Sequence, residues 1–146
     1  MPLKADARVK EGALMARCRQ LSRWLIIAAG VVLAGTAAFH ATGYNSVSTA
    51  IQASGAKPFL VAAVKALWLM FSAHLILLSI VVILASGMPR ARLVLLACAV
   101  IPAVDSVLLF HFAGLFVGTV SLAVAAILLV LGGLIQASPE DMDGRA

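Results

Sequence analysis

The sequence predicts an all-α integral membrane protein, folded as a four-transmembrane-helix up-down bundle. Hydrophobic residues make up 63% of the chain, whereas soluble domains are about 45–50% apolar. The excess falls into four blocks, each long enough to cross a bilayer at ~1.5 Å per helical residue. Basic residues flank these blocks, as is typical of membrane topology. We therefore expect one membrane domain over residues 1–137, with spans at about 24–40, 59–86, 93–111 and 115–135.

The N-terminal 23 residues are polar and basic. Leu14, Cys18, Leu21 and Leu25 recur at helical spacing, and arginines lie opposite them. Two interpretations follow: an amphipathic helix lying on anionic lipid before the chain turns into the membrane, or a loose segment that only sets orientation. The basic flank before an apolar run also resembles a signal peptide. The basic region is longer than usual for one, which favours retention of the first span.

The longest loop between spans covers residues 41–57. Gly43 breaks the first helix, and Ser46 or Ser48 could then cap a short helix that ends near Gly55. Its apolar positions share one face. We therefore predict a short interfacial helix in the first outer loop.

Orientation follows from the basic residues near the span ends. The N-terminus and the turn at 88–92 are rich in Lys and Arg, whereas the loop at 41–57 holds only Lys57 and the turn at 111–114 holds none. Because positive loops stay in the cytoplasm, we predict a bacterial inner-membrane protein with both termini cytoplasmic. The acidic residues 138–146 are expected to form a flexible tail.

Two ionisable residues lie within the predicted spans, where an unpaired charge is costly. Lys65 lies ~10 Å and Asp105 ~9 Å along their helices from the same outer face. Buried charges in membranes usually pair, so we predict an intramembrane charge pair between Lys65 and Asp105. The alternatives are that Lys65 extends to the headgroups and that Asp105 is protonated or hydrated.

The three histidines are candidate ligand or cofactor contacts. His40 and His111 end two outward-running spans at one depth, which raises the possibility of a bis-histidine haem or a metal site. His74 is nine residues from Lys65, half a turn away around the helix. We expect it to be a neutral imidazole bonded to a carbonyl or hydroxyl of a neighbouring helix. No dedicated metal site and no resident cofactor other than haem are indicated.

Several classes of function lack their signatures. The two cysteines, Cys18 and Cys98, have no metal-ligand spacing and are expected to be free thiols. The sequence contains no zinc-protease, serine-hydrolase, phosphate-loop or haem-attachment motif. An enzyme is therefore not indicated. The net charge is +5, and the basic residues cluster beside the apolar spans, so no nucleic-acid partner is expected.

Small residues at helical spacing suggest contacts between helices. Gly30, Ala34 and Ala38 share one face, as do Gly114 and Gly118. We expect the lipid bilayer as surroundings and other membrane helices as partners, in a homo-oligomer or a larger complex. The function expected first is a structural or accessory subunit. The alternatives are a small oligomeric transporter or channel built around Lys65 and Asp105, and a lipid-, quinone- or haem-binding protein.

Overall fold

The computed structural model describes residues 3–88 and 91–136, with side chains from residue 12 onward. This part of the chain is helical, with no strand. The helices are α1 (Leu3–Thr42), α2 (Tyr44–Ala53), α3 (Pro58–Ala85), α4 (Arg92–Ala113) and α5 (Val117–Ile135). Four helices, α1, α3, α4 and α5, are long and apolar enough to cross a membrane. The predicted tail at 138–146 lies outside the described residues.

The structure corrects the prediction for the N-terminal segment. Helix α1 runs without a break through 40 residues, about 60 Å at 1.5 Å per residue. The segment therefore neither turns along a surface nor forms a loose tail from Leu3 onward. The physical reason is that no proline falls within it, so nothing interrupts the hydrogen bonds that continue an apolar helix into a polar one. Its described part before Ser22 is exposed and extends beyond the other helices.

The short second helix is present, but its start was predicted wrongly. It begins at Tyr44, directly after Gly43, and no side chain caps it. The predicted caps at Ser46 and Ser48 lie inside the helix instead. Backbone bonds from Gly43 to His40 and from Val47 to Gly43 carry the chain almost directly from α1 into α2. The reversal comes later, at Gly55, whose φ of 70° favours glycine.

Helix α1 is the centre of the packing. It packs along both α3 and α5, and α4 packs along α5, whereas α3 and α4 touch only lightly. The shared core consists of aliphatic side chains from all four long helices, among them Ile26, Leu33, Leu75, Leu95 and Leu122, each fully buried. The outer faces carry exposed large apolar side chains on every long helix, as expected of a surface that contacts lipid.

The same contact recurs at two interfaces of α1. Ser22 on α1 donates to the Gly132 carbonyl of α5 at 2.7 Å, and Ser79 on α3 donates to the Gly30 carbonyl of α1 at 2.7 Å. In both cases an isoleucine four residues after the serine covers the glycine. These Ser-xxx-Ile contacts bring backbones close because glycine has no side chain, and each bond satisfies a hydroxyl in apolar surroundings.

We predict that Gly132→Ala destabilises the protein. The added Cβ would lie 2.7 Å from Ile26 Cγ1 and 3.4 Å from the Ser22 carbonyl, and Ile26 is fully buried, so it cannot move aside. Such overpacking costs about 1–3 kcal/mol. The control is Gly35→Ala, which meets no atom within 4 Å and should be neutral or slightly stabilising because alanine favours helix. Unfolding midpoints in mild detergent measure both, and equal midpoints would contradict the packing argument.

Candidate functional site

A cavity lies between the end of α1 and the start of α5. Its volume is about 390 Å³. Four aromatic side chains line it, Phe39, Trp68, Phe71 and Phe116, together with aliphatic and small residues from α4 and α5, two threonines and His40. We call this space the aromatic cavity. Its walls are apolar, so the few polar groups in the lining decide what it can recognise.

His40 is held rigidly at the edge of the aromatic cavity. Its ring stacks on Trp68, with centroids 4.0 Å apart, and Phe71 lies tilted against it at 4.8 Å. The Trp68 indole N–H donates to the His40 carbonyl at 2.9 Å, and His40 Nδ1 lies 3.0 Å from Ser72 Oγ. These contacts set the position and rotation of the imidazole before any ligand is present.

The Ser72 contact favours one tautomer of His40. The buried Ser72 hydroxyl makes no other hydrogen bond within the described part of the chain. If Nδ1 carried the proton, the serine hydroxyl would keep a buried hydrogen without an acceptor. Donation from Ser72 to Nδ1 avoids this and places the ring proton on Nε2. In this tautomer, Nε2–H is a donor that no contact among the described residues uses.

His74 and Asp105 form a second polar cluster, at the light contact between α3 and α4. His74 Nε2 lies 3.6 Å from Asp105 Oδ2. Both atoms are buried and neither makes a hydrogen bond in the structure. The predicted bond from His74 to a carbonyl or hydroxyl is therefore absent, and a carboxyl group faces the ring instead. Phe71 packs edge-on against His74 at 5.7 Å, so one phenyl ring separates this pair from His40.

Lys65 is not brought to Asp105. Among the described side chains, Asp105 meets His74, and Lys65 is half-buried without an ion pair. The prediction aligned the outer ends of the two helices. Instead, α3 has 28 residues and α4 has 22, and the contact between His74 and Asp105 shows a register in which those ends do not align. Lys65 lies nine residues before His74 in α3, roughly 14 Å along the helix, which places it level with the end of α4.

His111 takes no part in either cluster. Its ring is exposed and stands edge-on to Phe112 at 4.8 Å. The aromatic cavity is lined by His40 without His74 or His111, so it offers one imidazole rather than the two that a bis-histidine haem needs. Within the described residues no three histidine, cysteine or acidic side chains are grouped for a metal. Cys18 and Cys98 are free, as predicted.

Two of the predicted small residues are covered by side chains of the same chain. An added Cβ at Gly30 would meet Ile83 at 2.6 Å, and one at Gly118 would meet Phe116 at 2.6 Å. Of the predicted stripe on α1, Ala38 is exposed while Gly30 is buried. Gly30 therefore serves a contact between α1 and α3, and Gly118 a contact with the residue that precedes its own helix, whereas Ala38 and Gly114 stay uncovered.

Sequence reasoning missed the aromatic residues around His40. Trp68 and Phe71 lie on α3 within one turn of Lys65 and Ser72, and an aromatic pair close to those polar residues was the available signal. Comparison with protein-family models, with curated proteins and with solved structures finds no match. The function is therefore argued from the geometry of the two clusters.

We predict that Trp68→Phe destabilises the protein by about 1–2 kcal/mol, since it removes a hydrogen bond and part of the stacking on His40. Trp24→Phe is the matched control, because Trp24 is 62% exposed and makes no hydrogen bond among the described contacts. Its unfolding midpoint in detergent should stay near that of the unaltered protein. Equal losses in both variants would show that the Trp68 contacts do not stabilise this end.

Proposed function

We propose that the protein is a four-span integral membrane protein that binds a flat-ring, carbonyl-bearing apolar molecule, such as a quinone, in the aromatic cavity. In this proposal the four long helices form an up-down bundle in the bacterial inner membrane, with both termini in the cytoplasm. The aromatic cavity then faces the outer side of the bilayer. The observation that carries the proposal is the His40 ring, stacked on Trp68 and bonded through Nδ1 to Ser72, in an otherwise apolar, aromatic-lined space.

Membrane insertion is supported by length and by surface chemistry. Each long helix can span an apolar layer of about 30 Å, and large apolar side chains cover their outer faces. Serine and threonine hydroxyls between the helices bond to carbonyls or to each other, as is required where water is absent. The proposed orientation is supported by the distribution of basic residues near the ends of the spans.

The ligand class is inferred from the lining. A volume of about 390 Å³ lies in the range of small-molecule pockets, about 300–1,000 Å³. Aromatic walls favour a planar ring, which stacks on them or meets them edge-on. The hydroxyls of Thr36 and Thr42 donate to the carbonyls of Val32 and Phe39. His40 therefore remains as the donor, and its preferred partner is a carbonyl oxygen.

This function is favoured over an accessory subunit by one finding. Of the small residues that suggested binding to other helices, Gly30 and Gly118 are covered by Ile83 and Phe116 of the same chain. The transporter hypothesis required a pair between Lys65 and Asp105. Asp105 faces His74 instead, so this hypothesis is less favoured. The aromatic cavity, by contrast, offers an apolar lining with one imidazole, which fits a planar, carbonyl-bearing ligand.

We predict that Cys18 reacts with a membrane-impermeant maleimide from the cytoplasmic face. Cys18 is exposed and lies on the part of α1 that extends past the other helices. Labelling should occur in inverted vesicles and be absent in intact cells. The matched control places a cysteine at Ala53 at the end of α2, in a Cys18→Ser background, and should show the opposite accessibility. Labelling of Cys18 in intact cells would reverse the proposed orientation.

We predict saturable binding of a short-chain ubiquinone analogue. Trp68 is the sole tryptophan in a Trp24→Phe background, so quenching of its fluorescence reports occupancy of the aromatic cavity. His40→Leu should weaken binding about tenfold, the effect of losing a hydrogen bond of about 1.4 kcal/mol. Ala113→Phe, which places a ring in the lining, should abolish saturation.

Ala38→Phe is the control for this experiment. Ala38 is exposed on α1 and does not line the aromatic cavity, so binding should be unchanged. Unfolding midpoints establish that each variant is folded. Quenching that rises linearly with the probe and is equal in all variants would reflect partitioning into detergent and would overturn the proposed function.

A further inference from the structure

We propose that His74 and Asp105 together bind one proton and form a net-neutral proton-binding site between α3 and α4. The site is separate from the aromatic cavity, whose lining includes neither residue. It also extends beyond the proposed ligand binding, since it requires no ligand. The pair lies where α3 and α4 contact each other only lightly, a region we call the α3–α4 seam.

Among the described residues, these two polar atoms have no other hydrogen-bond partner within reach. His74 Nε2 and Asp105 Oδ2 are buried, lack hydrogen-bond partners and lie 3.6 Å apart. The nearby hydroxyls are engaged elsewhere: Ser106, next to Asp105, donates to the Thr119 carbonyl, and Ser72 is bonded to His40. A proton between the ring nitrogen and the carboxylate oxygen satisfies both atoms at once, after a small approach of the two side chains.

Charge decides how many protons the pair holds. A carboxylate beside a neutral imidazole carries one negative charge, and a carboxylic acid beside an imidazolium carries one positive charge. One proton shared by carboxylate and imidazole makes the pair neutral overall, whichever residue carries it. A net charge in apolar surroundings is costly, and Asp105 is the sole carboxylate between residues 12 and 136. The one-proton state is therefore the stable one.

The other titratable groups leave this pair independent. On α1, His40 is separated from His74 by the Phe71 ring. On α3, Lys65 is nine residues away, and on α4, Cys98 and the exposed His111 are seven and six residues from Asp105. Helix α5 contains no titratable side chain. The pair therefore holds its proton independently of these groups.

The route of exchange follows from the packing. Phe71 blocks the direction toward the aromatic cavity, and the core of α1, α3 and α5 blocks the interior. The side chains of His74 and Asp105 are 37% and 19% exposed, on the side where α3 and α4 meet lightly. The α3–α4 seam is therefore the side from which a proton would reach the pair.

The test counts protons on the pair in the full-length protein in bilayers near neutral pH. Nitrogen NMR of labelled histidine reports whether the His74 ring is neutral or doubly protonated, and the infrared carboxylic acid band reports whether Asp105 carries a proton. We expect imidazolium with carboxylate, or neutral imidazole with carboxylic acid. Neutral imidazole with carboxylate, or imidazolium with carboxylic acid, would overturn the proposal.

Variants assign the signals and separate proton binding from a structural role. In His74→Gln the carboxyl group must hold the proton alone, so a carboxylic acid band should be present that the double variant with Asp105→Asn lacks. His111→Gln, a change at an exposed histidine, should leave the wild-type spectra unchanged. An ionised Asp105 in His74→Gln would contradict the proposal. If a variant does not fold, the proton count on the unaltered protein decides alone.

Discussion

The close approach of α1 to its two neighbours is the constraint on which the rest of the structure depends. At each interface a serine hydroxyl reaches a glycine carbonyl on the facing helix, and an isoleucine one turn later covers the glycine. The carbonyl satisfies the serine hydroxyl in place of water, and the isoleucine packs against the glycine, which has no side chain. The two contacts also set how far α3 and α5 are shifted along α1.

This arrangement leaves the α3–α4 seam as the weakest interface. Helix α4 is attached through α5, so α3 and α4 are brought together without close packing of their own. Both functional candidates lie along this side of the molecule. The aromatic cavity lies where α1 ends and α5 begins, between residues of all four long helices, and the His74–Asp105 pair lies on the other side of the Phe71 ring, between α3 and α4. Groups that need space or water access are thus found where packing is least complete.

Most of the helix pattern could be predicted from the sequence, because an apolar run has only one stable form when it is long enough to span a membrane. The structure has α3, α4 and α5 within a few residues of the predicted spans. The errors fall at the ends. Gly43 was expected to open a loop, yet backbone bonds carry α1 nearly into α2. Similarly, α1 continues as a helix through the polar N-terminal segment. The polar composition of that segment indicates that it is exposed, but it does not indicate whether its backbone is helical.

The sequence by itself determined which residues are polar within apolar helices and which helical face each occupies. The shared face of Ser72 and Ser79, and the opposite direction of His74, follow from 3.6 residues per turn. Only the tertiary structure decided which residues meet across helices, because a shift of two or three turns between neighbours leaves each helix unchanged. That shift, set by serine–glycine contacts distant in sequence, brings His74 rather than Lys65 to Asp105 and encloses His40 among aromatic rings.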